Sequence, residues 1–205
     1  MDMTETWLCD SPDATPLNGR TITMHCYESE GVLEAVGRLT DTRHWASVLG
    51  PDGIIHDMEL RLRVDRESLT ITAVKATMYA HPHEECPEIA PAFQQLVGIS
   101  VMRGYTRTVQ ELLGRVRGCS HLEFLARAMG PVVIQGATSL SSRERIQGGS
   151  DAAFQQGAWM KDTCHIWAED GPAPVKLQLG WRPGTVYPAP SVAKLRAQLE
   201  GESGS

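Results

Sequence analysis

Apolar and polar residues alternate in four segments of the first 80 positions, and this two-residue period is typical of β-strands. In the third segment the apolar residues at even positions from 58 to 64 share one face, and mostly charged residues occupy the other. The alternation of the fourth segment slips near Ala73 and Val74, which predicts a β-bulge. Short connections predict that successive strands pair as an antiparallel meander. The segments are residues 20–27, 31–40, 54–65 and 68–79.

After residue 79 the apolar residues recur every three or four positions, which is the spacing of amphipathic helices. This spacing predicts helices over residues 87–97, 106–115, 121 to about 135, and 191–199. Residues 139–150 are polar and contain glycines, so they predict a mobile loop. Strands followed by helices predict an α+β fold in which the helices pack on one face of the meander.

The chain has 205 residues, 41% of them hydrophobic, which is enough for one domain with a substantial core. The first 19 residues lack periodicity and predict a flexible arm. We therefore expect a single α+β domain over residues 20–199, followed by a disordered tail over residues 200–205.

The formal net charge is −6 and no cluster of Lys and Arg stands out, which argues against nucleic acid as a partner. No apolar run approaches the length of a membrane span, so we expect no membrane partner. The five cysteines are an odd number, and the polar, acidic start of the chain does not resemble a signal peptide. These features predict a cytoplasmic protein without disulfides that acts on a small molecule.

His56 is a candidate metal ligand because of its phase in the third strand. It shares the face of the apolar residues at positions 58 to 64, whereas Asp57 points to the other side. A buried neutral imidazole needs a polar partner, and a metal ion is one such partner. A backbone carbonyl is the other, and the sequence leaves both open.

Two cysteines are candidate ligands because each stands at a predicted helix start. Cys86 precedes Pro87, which is favoured in the first turn of a helix. Cys119 precedes Ser120 and Glu123, whose spacing is that of a capping box with Ser120 as the N-cap. The positive end of a helix dipole favours a thiolate, which is the form that binds metals. Packing in the core is the alternative for both cysteines.

A set of one histidine and two cysteines leaves one tetrahedral position open, as in catalytic zinc sites. We therefore predict a zinc or iron enzyme that uses Lewis-acid chemistry as a lyase, hydrolase or isomerase. Glu88, Asp57 and His121 are the candidate acid–base residues, and His121 could instead be a fourth ligand. Arg107 could hold an anionic substrate, and Trp167 could form an apolar wall for an aromatic or acyl substrate. Each of these residues also has a purely structural interpretation.

From residue 54 to about residue 133 the order of elements resembles the iron–sulfur scaffold family of the IscU and SufU type. The similar segments are IHD at 55–57, CPEIA at 86–90 and GCSHL at 118–122. The chain has Ile-His where that family has its first Cys-Gly. The resemblance implies an IscU-like core with a C-terminal extension. It also implies an alternative function, as an iron–sulfur cluster scaffold or sulfur acceptor.

Seven short motifs are spread over residues 20 to about 181: GRLTDT at 37–42, IHDM at 55–58, CPEIAP at 86–91, LVG at 96–98, GYTR at 104–107, GCSHL at 118–122 and TCH at 163–165. In these motifs the chain resembles a bacterial family catalogued as a domain of unknown function, number 2889. The resemblance implies that Cys164 and His165 belong with the other motifs.

A third hypothesis is a metal-free thiol enzyme that uses Cys119 with His121.

Overall fold

The computed structural model describes residues 13–148, 160–182 and 185–202. Its four strands form one antiparallel sheet in the order β1-β2-β3-β4, followed by helices, so the predicted α+β fold with a β-meander is confirmed. Short 3₁₀ turns at Ser47–Leu49 and Arg115–Arg117 lie in the connections. The main elements are β1 (Gly19–Ser29), β2 (Val32–Thr42), β3 (Ile54–Asp65), β4 (Ile71–Ala80), a 3₁₀-helix (Cys86–Leu96), α1 (Tyr105–Leu113), α2 (Ser120–Gly148), α3 (Pro172–Gln178) and α4 (Val192–Glu202).

A two-residue turn joins β1 to β2 and fixes their register. Glu30 and Gly31 both have positive φ angles, 34° and 82°, as primed hairpin turns require. The turn pairs Ser29 with Val32, and the ladder continues without a shift to the other end of the hairpin. The register of β1 against β2 is therefore set at this turn.

One face of the sheet is buried beneath α2. The even positions of β3 from 58 to 64 are fully buried, as the alternation predicts. Glycines bring the helix close to the strands. A Cβ atom on Gly37 would lie 3.2 Å from the Sδ atom of Met129, and one on Gly136 would lie 2.3 Å from the Sγ atom of Cys26. The buried residues of α2 in this core are Leu122, Leu125, Ala126, Met129 and Val133.

The predicted bulge in the fourth strand is confirmed close to its expected position. Arg63 pairs with Ala73, whereas Val64 pairs with Ile71, so Thr72 is the extra residue. A second shift lies at the other end of the same ladder, between Asp57 and Met58. The extra residue lets Ile71 and Val74, three positions apart, both lie on the buried face.

Two secondary-structure predictions, one of a helix and one of a loop, need correction. The segment predicted as a helix over 87–97 is a 3₁₀-helix, because Pro91 has no N–H to donate and crowds the preceding turn of an α-helix. The predicted loop over 139–150 is wrong up to Gly148, because α2 continues through it. Its glycines come only at the end of the segment, Leu140 is buried, and Arg and Glu favour helices.

The predicted cap of α2 is wrong by one residue. The helix begins at Ser120, and the N–H of Glu123 donates to the carbonyl of Cys119 at 2.8 Å. Cys119 therefore occupies the N-cap position, since the N-cap carbonyl accepts the first helical hydrogen bond. The carboxylate of Glu123 does not complete a capping box but forms an ion pair with Arg127, at 2.7 Å.

The chain divides into two compact units, one ending at Ala137 and the other beginning at Thr138. The sheet, α1 and most of α2 belong to the first unit, and α3 and α4 belong to the second. The single domain predicted over 20–199 stays a prediction. In the second unit Trp181 lies beside α3, with the Nζ atom of Lys176 5.7 Å from its ring centroid. Within the described ranges, no helix combines the length and apolar content needed to cross a membrane.

Candidate metal centre

Three neighbouring strands place polar side chains side by side at one end of the covered sheet face. The register pairs Arg20 of β1 with Asp41 of β2, and Asp41 with His56 of β3. Arg20, Asp41 and His56 lie on the inward faces of their strands, at the end where polar residues replace the apolar ones. His121, in the first turn of α2, reaches the same place from above the sheet. The site is therefore a junction of three strands and one helix.

Asp41 contacts both histidines through one oxygen atom. Its Oδ2 atom lies 3.0 Å from Nδ1 of His56 and 3.3 Å from Nε2 of His121. The two imidazole centroids are 4.0 Å apart. Asp41 is only 9% exposed, and both imidazoles are largely covered. A neutral imidazole at either position can donate one N–H to the shared carboxylate.

Arg20 holds the carboxylate of Asp41 from the other side. Its Nε atom donates to Oδ1 at 2.6 Å, and its Nη2 atom donates to Oδ2 at 2.8 Å. This fork-to-fork geometry is the strong bidentate form of an arginine–carboxylate pair. The orientation of Asp41 is therefore fixed by a neighbour in the adjacent strand.

The surroundings favour an ionised Asp41 and a neutral His121. Hydrogen bonds from Arg20 hold the pKa of Asp41 below its ordinary value, although burial acts in the opposite direction. Burial lowers the pKa of His121, and the charge that His56 can carry adds to this effect, while Asp41 opposes it. Both shifts favour the forms that can bind a metal, an ionised carboxylate and a neutral imidazole.

Cys119 lies next to this group but not within it. Its Sγ atom is 3.8 Å from Nδ1 of His121 and 3.8 Å from the Sδ atom of Met58. His121 thus has Asp41 at one ring nitrogen and Cys119 at the other. A contact at the second ring nitrogen helps to orient an imidazole.

Asp41, His56 and His121 fit a transition-metal site in donor type and spacing. One ligand atom from each lies within 4.8 Å of the other two. Ligand atoms around a tetrahedral zinc ion with bonds of about 2.0–2.2 Å stand about 3.4 Å apart. The measured separations of 3.0 and 3.3 Å from Oδ2 to the two nitrogens are close to that value. Two histidines and one carboxylate are a ligand set of zinc and of mononuclear iron.

The group of Asp41, His56 and His121 lies on the wall of a cavity of about 680 Å³. This volume is within the usual range for small-molecule sites. The loop between β2 and β3 contributes Arg43 and Trp45 to its lining. The other lining residues are Leu17, Asn18, Arg20, Asp41, Thr42, Ile55, His56 and His121.

The three predicted ligands differ in how close the structure places them to this group. His56 is a member of the group, and Cys119 contacts it through His121. Cys86 is the half-buried first residue of the 3₁₀-helix. Among the described residues, the one group of three close metal-ligating side chains includes neither cysteine. The structure thus brings His56 together with Asp41 and His121 rather than with two thiols.

Of the predicted acid–base residues, the structure brings only His121 to this site. Asp57 points to the opposite face of the sheet, where the Nε atom of Arg38 donates to it at 2.7 Å. The Arg38 guanidinium also lies over the ring of Tyr79, 5.1 Å from its centroid. Glu88 is exposed in the first turn of the 3₁₀-helix.

The predicted substrate-binding residues lie outside the cavity lining. Arg107 is an exposed residue of α1 that pairs with Glu111 one turn later, at 2.8 Å. Trp167 belongs to the second unit, where its carbonyl accepts a hydrogen bond from the N–H of Asp162.

Residues 18–135 match the family described as a protein of unknown function (DUF2889), which is more than half of the chain. The chain belongs to this family. The match contains Arg20, Asp41, His56, Cys119 and His121, so the whole candidate site lies within the family region. The family predicted from the sequence motifs is confirmed. No curated protein and no solved structure matches the chain, and the resemblance to iron–sulfur scaffolds stays a prediction.

Sequence reasoning missed Asp41 and Arg20. The signal for Asp41 was present, because the buried alternation of β2 through Leu39 continues to it two residues later. The predicted strand stopped at residue 40 and so excluded it. Arg20 follows the same rule, since it shares the phase of Ile22 and Met24 in β1.

Proposed function

We propose that this protein is a metal-dependent enzyme that binds one zinc or iron ion through Asp41, His56 and His121. The observation that carries the proposal is the convergence of three donor atoms within 4.8 Å on the wall of a cavity. The proposed chemistry is Lewis-acid catalysis on a small organic substrate, as a lyase, hydrolase or isomerase.

The number of protein ligands supports a catalytic rather than a structural site. Three ligands leave at least one coordination position for water or substrate, whereas structural zinc sites have four protein ligands. All three residues line the cavity, so an ion held by them would be within reach of a small molecule that enters it. A metal ion there would polarise a carbonyl group or lower the pKa of water.

Protonation and orientation also support the proposal. A metal requires a carboxylate and neutral imidazoles, and the lowered pKa values of Asp41 and His121 favour these forms. Arg20 orients the carboxylate, and Cys119 contacts the second nitrogen of His121. Outer contacts of this kind hold metal ligands in place in known sites.

Elemental analysis of protein purified without oxygen tests the proposal. We expect one zinc or iron per chain, loss of most of it in His56→Ala and His121→Ala, and full retention in His25→Ala. His25 is an exposed histidine of β1, so it controls for the loss of an imidazole elsewhere. Full metal retention in both site variants would show that His56 and His121 are not metal ligands. Iron with acid-labile sulfide would favour the iron–sulfur scaffold instead.

A thiol enzyme is the second candidate, and one observation favours it. Cys119, His121 and Asp41 lie in the order of a nucleophile, a base and an orienting carboxylate, with distances of 3.8 and 3.3 Å. In this case metal-free protein would react rapidly with iodoacetamide at Cys119, and His121→Ala would slow the reaction. Slow alkylation of Cys119 in metal-free protein, unaffected by that substitution, would exclude it.

A further inference from the structure

The cavity beside Asp41, His56 and His121 has a second wall, formed by the loop between β2 and β3. Two backbone hydrogen bonds anchor this loop at Arg43, whose N–H donates to Gly53 at 2.7 Å and whose carbonyl accepts from Ala46 at 3.0 Å. Gly53 has a φ angle of 59°, and a Cβ atom there would lie 3.0 Å from the backbone of Arg43. A side chain at Gly53 would therefore strain the contact that closes the loop.

Arg43 brings an uncompensated positive charge to the cavity. Of the two arginines in the lining, Arg20 is paired with Asp41, the one acidic residue there. Within the part of the chain that the structure describes, no hydrogen bond or ion pair involves the guanidinium of Arg43. The cavity lining is therefore net positive in a chain of formal charge −6, and a bound divalent metal would increase this charge.

Trp45 provides an apolar surface next to this charge. Its Nε1 atom donates to the carbonyl of Leu17 at 2.7 Å, yet the residue is 66% exposed. An indole held by its N–H presents its ring to the cavity without needing a further polar partner. Leu17 and Ile55 line the same cavity and add apolar area.

We propose that the substrate is a small carboxylate with a flat apolar body, aromatic or acyl. Its carboxylate pairs with the guanidinium of Arg43, and its body packs against Trp45. The other end of the substrate faces Asp41, His56 and His121. This last part of the assignment rests on the proposed metal function. A guanidinium suits a carboxylate because its planar fork matches two oxygen atoms.

Calorimetric titration with benzoate and benzamide tests this assignment, because the two probes share a ring and differ in charge. We expect metal-loaded wild-type protein to bind benzoate more tightly, and Arg43→Met to weaken benzoate binding about tenfold. Benzamide binding should not change in Arg43→Met. Arg103→Met is the matched control, since Arg103 is an exposed arginine outside the cavity lining. Trp45→Leu should weaken both probes by about three- to tenfold.

Repeating the titration with protein treated with a chelator separates the two proposals. If elemental analysis finds no metal but benzoate still binds through Arg43, the metal function fails and the carboxylate assignment stands. If metal is present and benzoate binds equally to wild type and Arg43→Met, the carboxylate assignment fails alone. Absence of benzoate binding to the metal-loaded wild type also overturns it.

Discussion

The Oδ2 atom of Asp41 lies 3.0 Å from the Nδ1 atom of His56 across the β2–β3 ladder. The two residues are direct cross-strand partners, and the register shifts immediately beyond them, where Thr42 pairs with Ile54. Ile55 is therefore the extra residue of a bulge, and it lines the same cavity as His56. Bulges redirect side chains at the ends of strands, often beside functional sites.

The pH dependence of stability should report on His121. Its folded pKa lies below the ordinary imidazole value of about 6.5, so the unfolded chain binds more protons as the pH falls through that range. The stability it contributes is complete above about pH 6.5 and is lost as the pH falls toward the folded pKa. We expect the Tm of metal-free protein to fall between about pH 7.5 and about pH 5.5.

The control for this effect is a pair of histidine substitutions. His121→Gln should flatten the fall in Tm over the same pH range, because the group with the lowered pKa is gone. His83→Gln removes an exposed histidine of the loop after β4 and should leave the slope unchanged. An equal slope in wild type and His121→Gln would show that His121 does not titrate as described.

The close packing of α2 on α1 can be tested at Gly130. The hydroxyl of buried Tyr105 donates to the carbonyl of Ala126 at 2.9 Å, and a Cβ atom on Gly130 would lie 2.5 Å from the ring. Alanine should gain about 1 kcal/mol of helix propensity. Overpacking costs about 1–3 kcal/mol, and we expect it to prevail, because the ring is held by its hydrogen bond.

Urea unfolding measures this balance. Gly130→Ala should lower the unfolding midpoint without changing the slope. Gly148→Ala is the matched control, since Gly148 also lies in α2, and a Cβ atom added there would contact no other described part of the chain within 4 Å. A midpoint for Gly130→Ala equal to or above that of Gly148→Ala would contradict the described contact.

Cysteine substitutions distinguish ligands from supporting residues. Cys119→Ser should keep one metal per chain and weaken its binding by about tenfold, because Cys119 contacts His121 and is not one of the three proposed ligands. Cys86→Ser should leave the metal affinity unchanged. Metal affinities from competition with a chromogenic chelator check both. Complete loss of metal in either variant would restore that thiol to the ligand set.

The strands and the inward position of His56 could be predicted because alternation is a local property of the sequence. The register of β1 against β2 could not, because it depends on the turn at Glu30 and Gly31, where glutamate is an unusual residue at a positive φ angle. That turn brings Arg20 opposite Asp41. Alternation assigns a residue to a face, and only the register identifies its neighbours.

The proposed ligand set could not be predicted because it depends on how α2 packs against the sheet. The sequence predicts helix starts near Cys86 and Cys119, but it does not give the distance between the two residues. His121 reaches Asp41 because glycines such as Gly37 and Gly136 let α2 approach the strands. Such contacts join residues far apart in the sequence, and no local pattern encodes them.

Calorimetric titration of metal-free protein with zinc tests the central claim most directly, through the contrast between Asp41→Asn and Asp57→Asn. Asp41 contacts both histidines, whereas Asp57 pairs with Arg38 on the opposite face of the sheet. We predict one zinc site in wild type and in Asp57→Asn, with an affinity at least about a hundredfold weaker in Asp41→Asn. Equal zinc affinity in all three proteins, or no zinc binding by the wild type, would contradict the assignment of Asp41, His56 and His121 as a metal site.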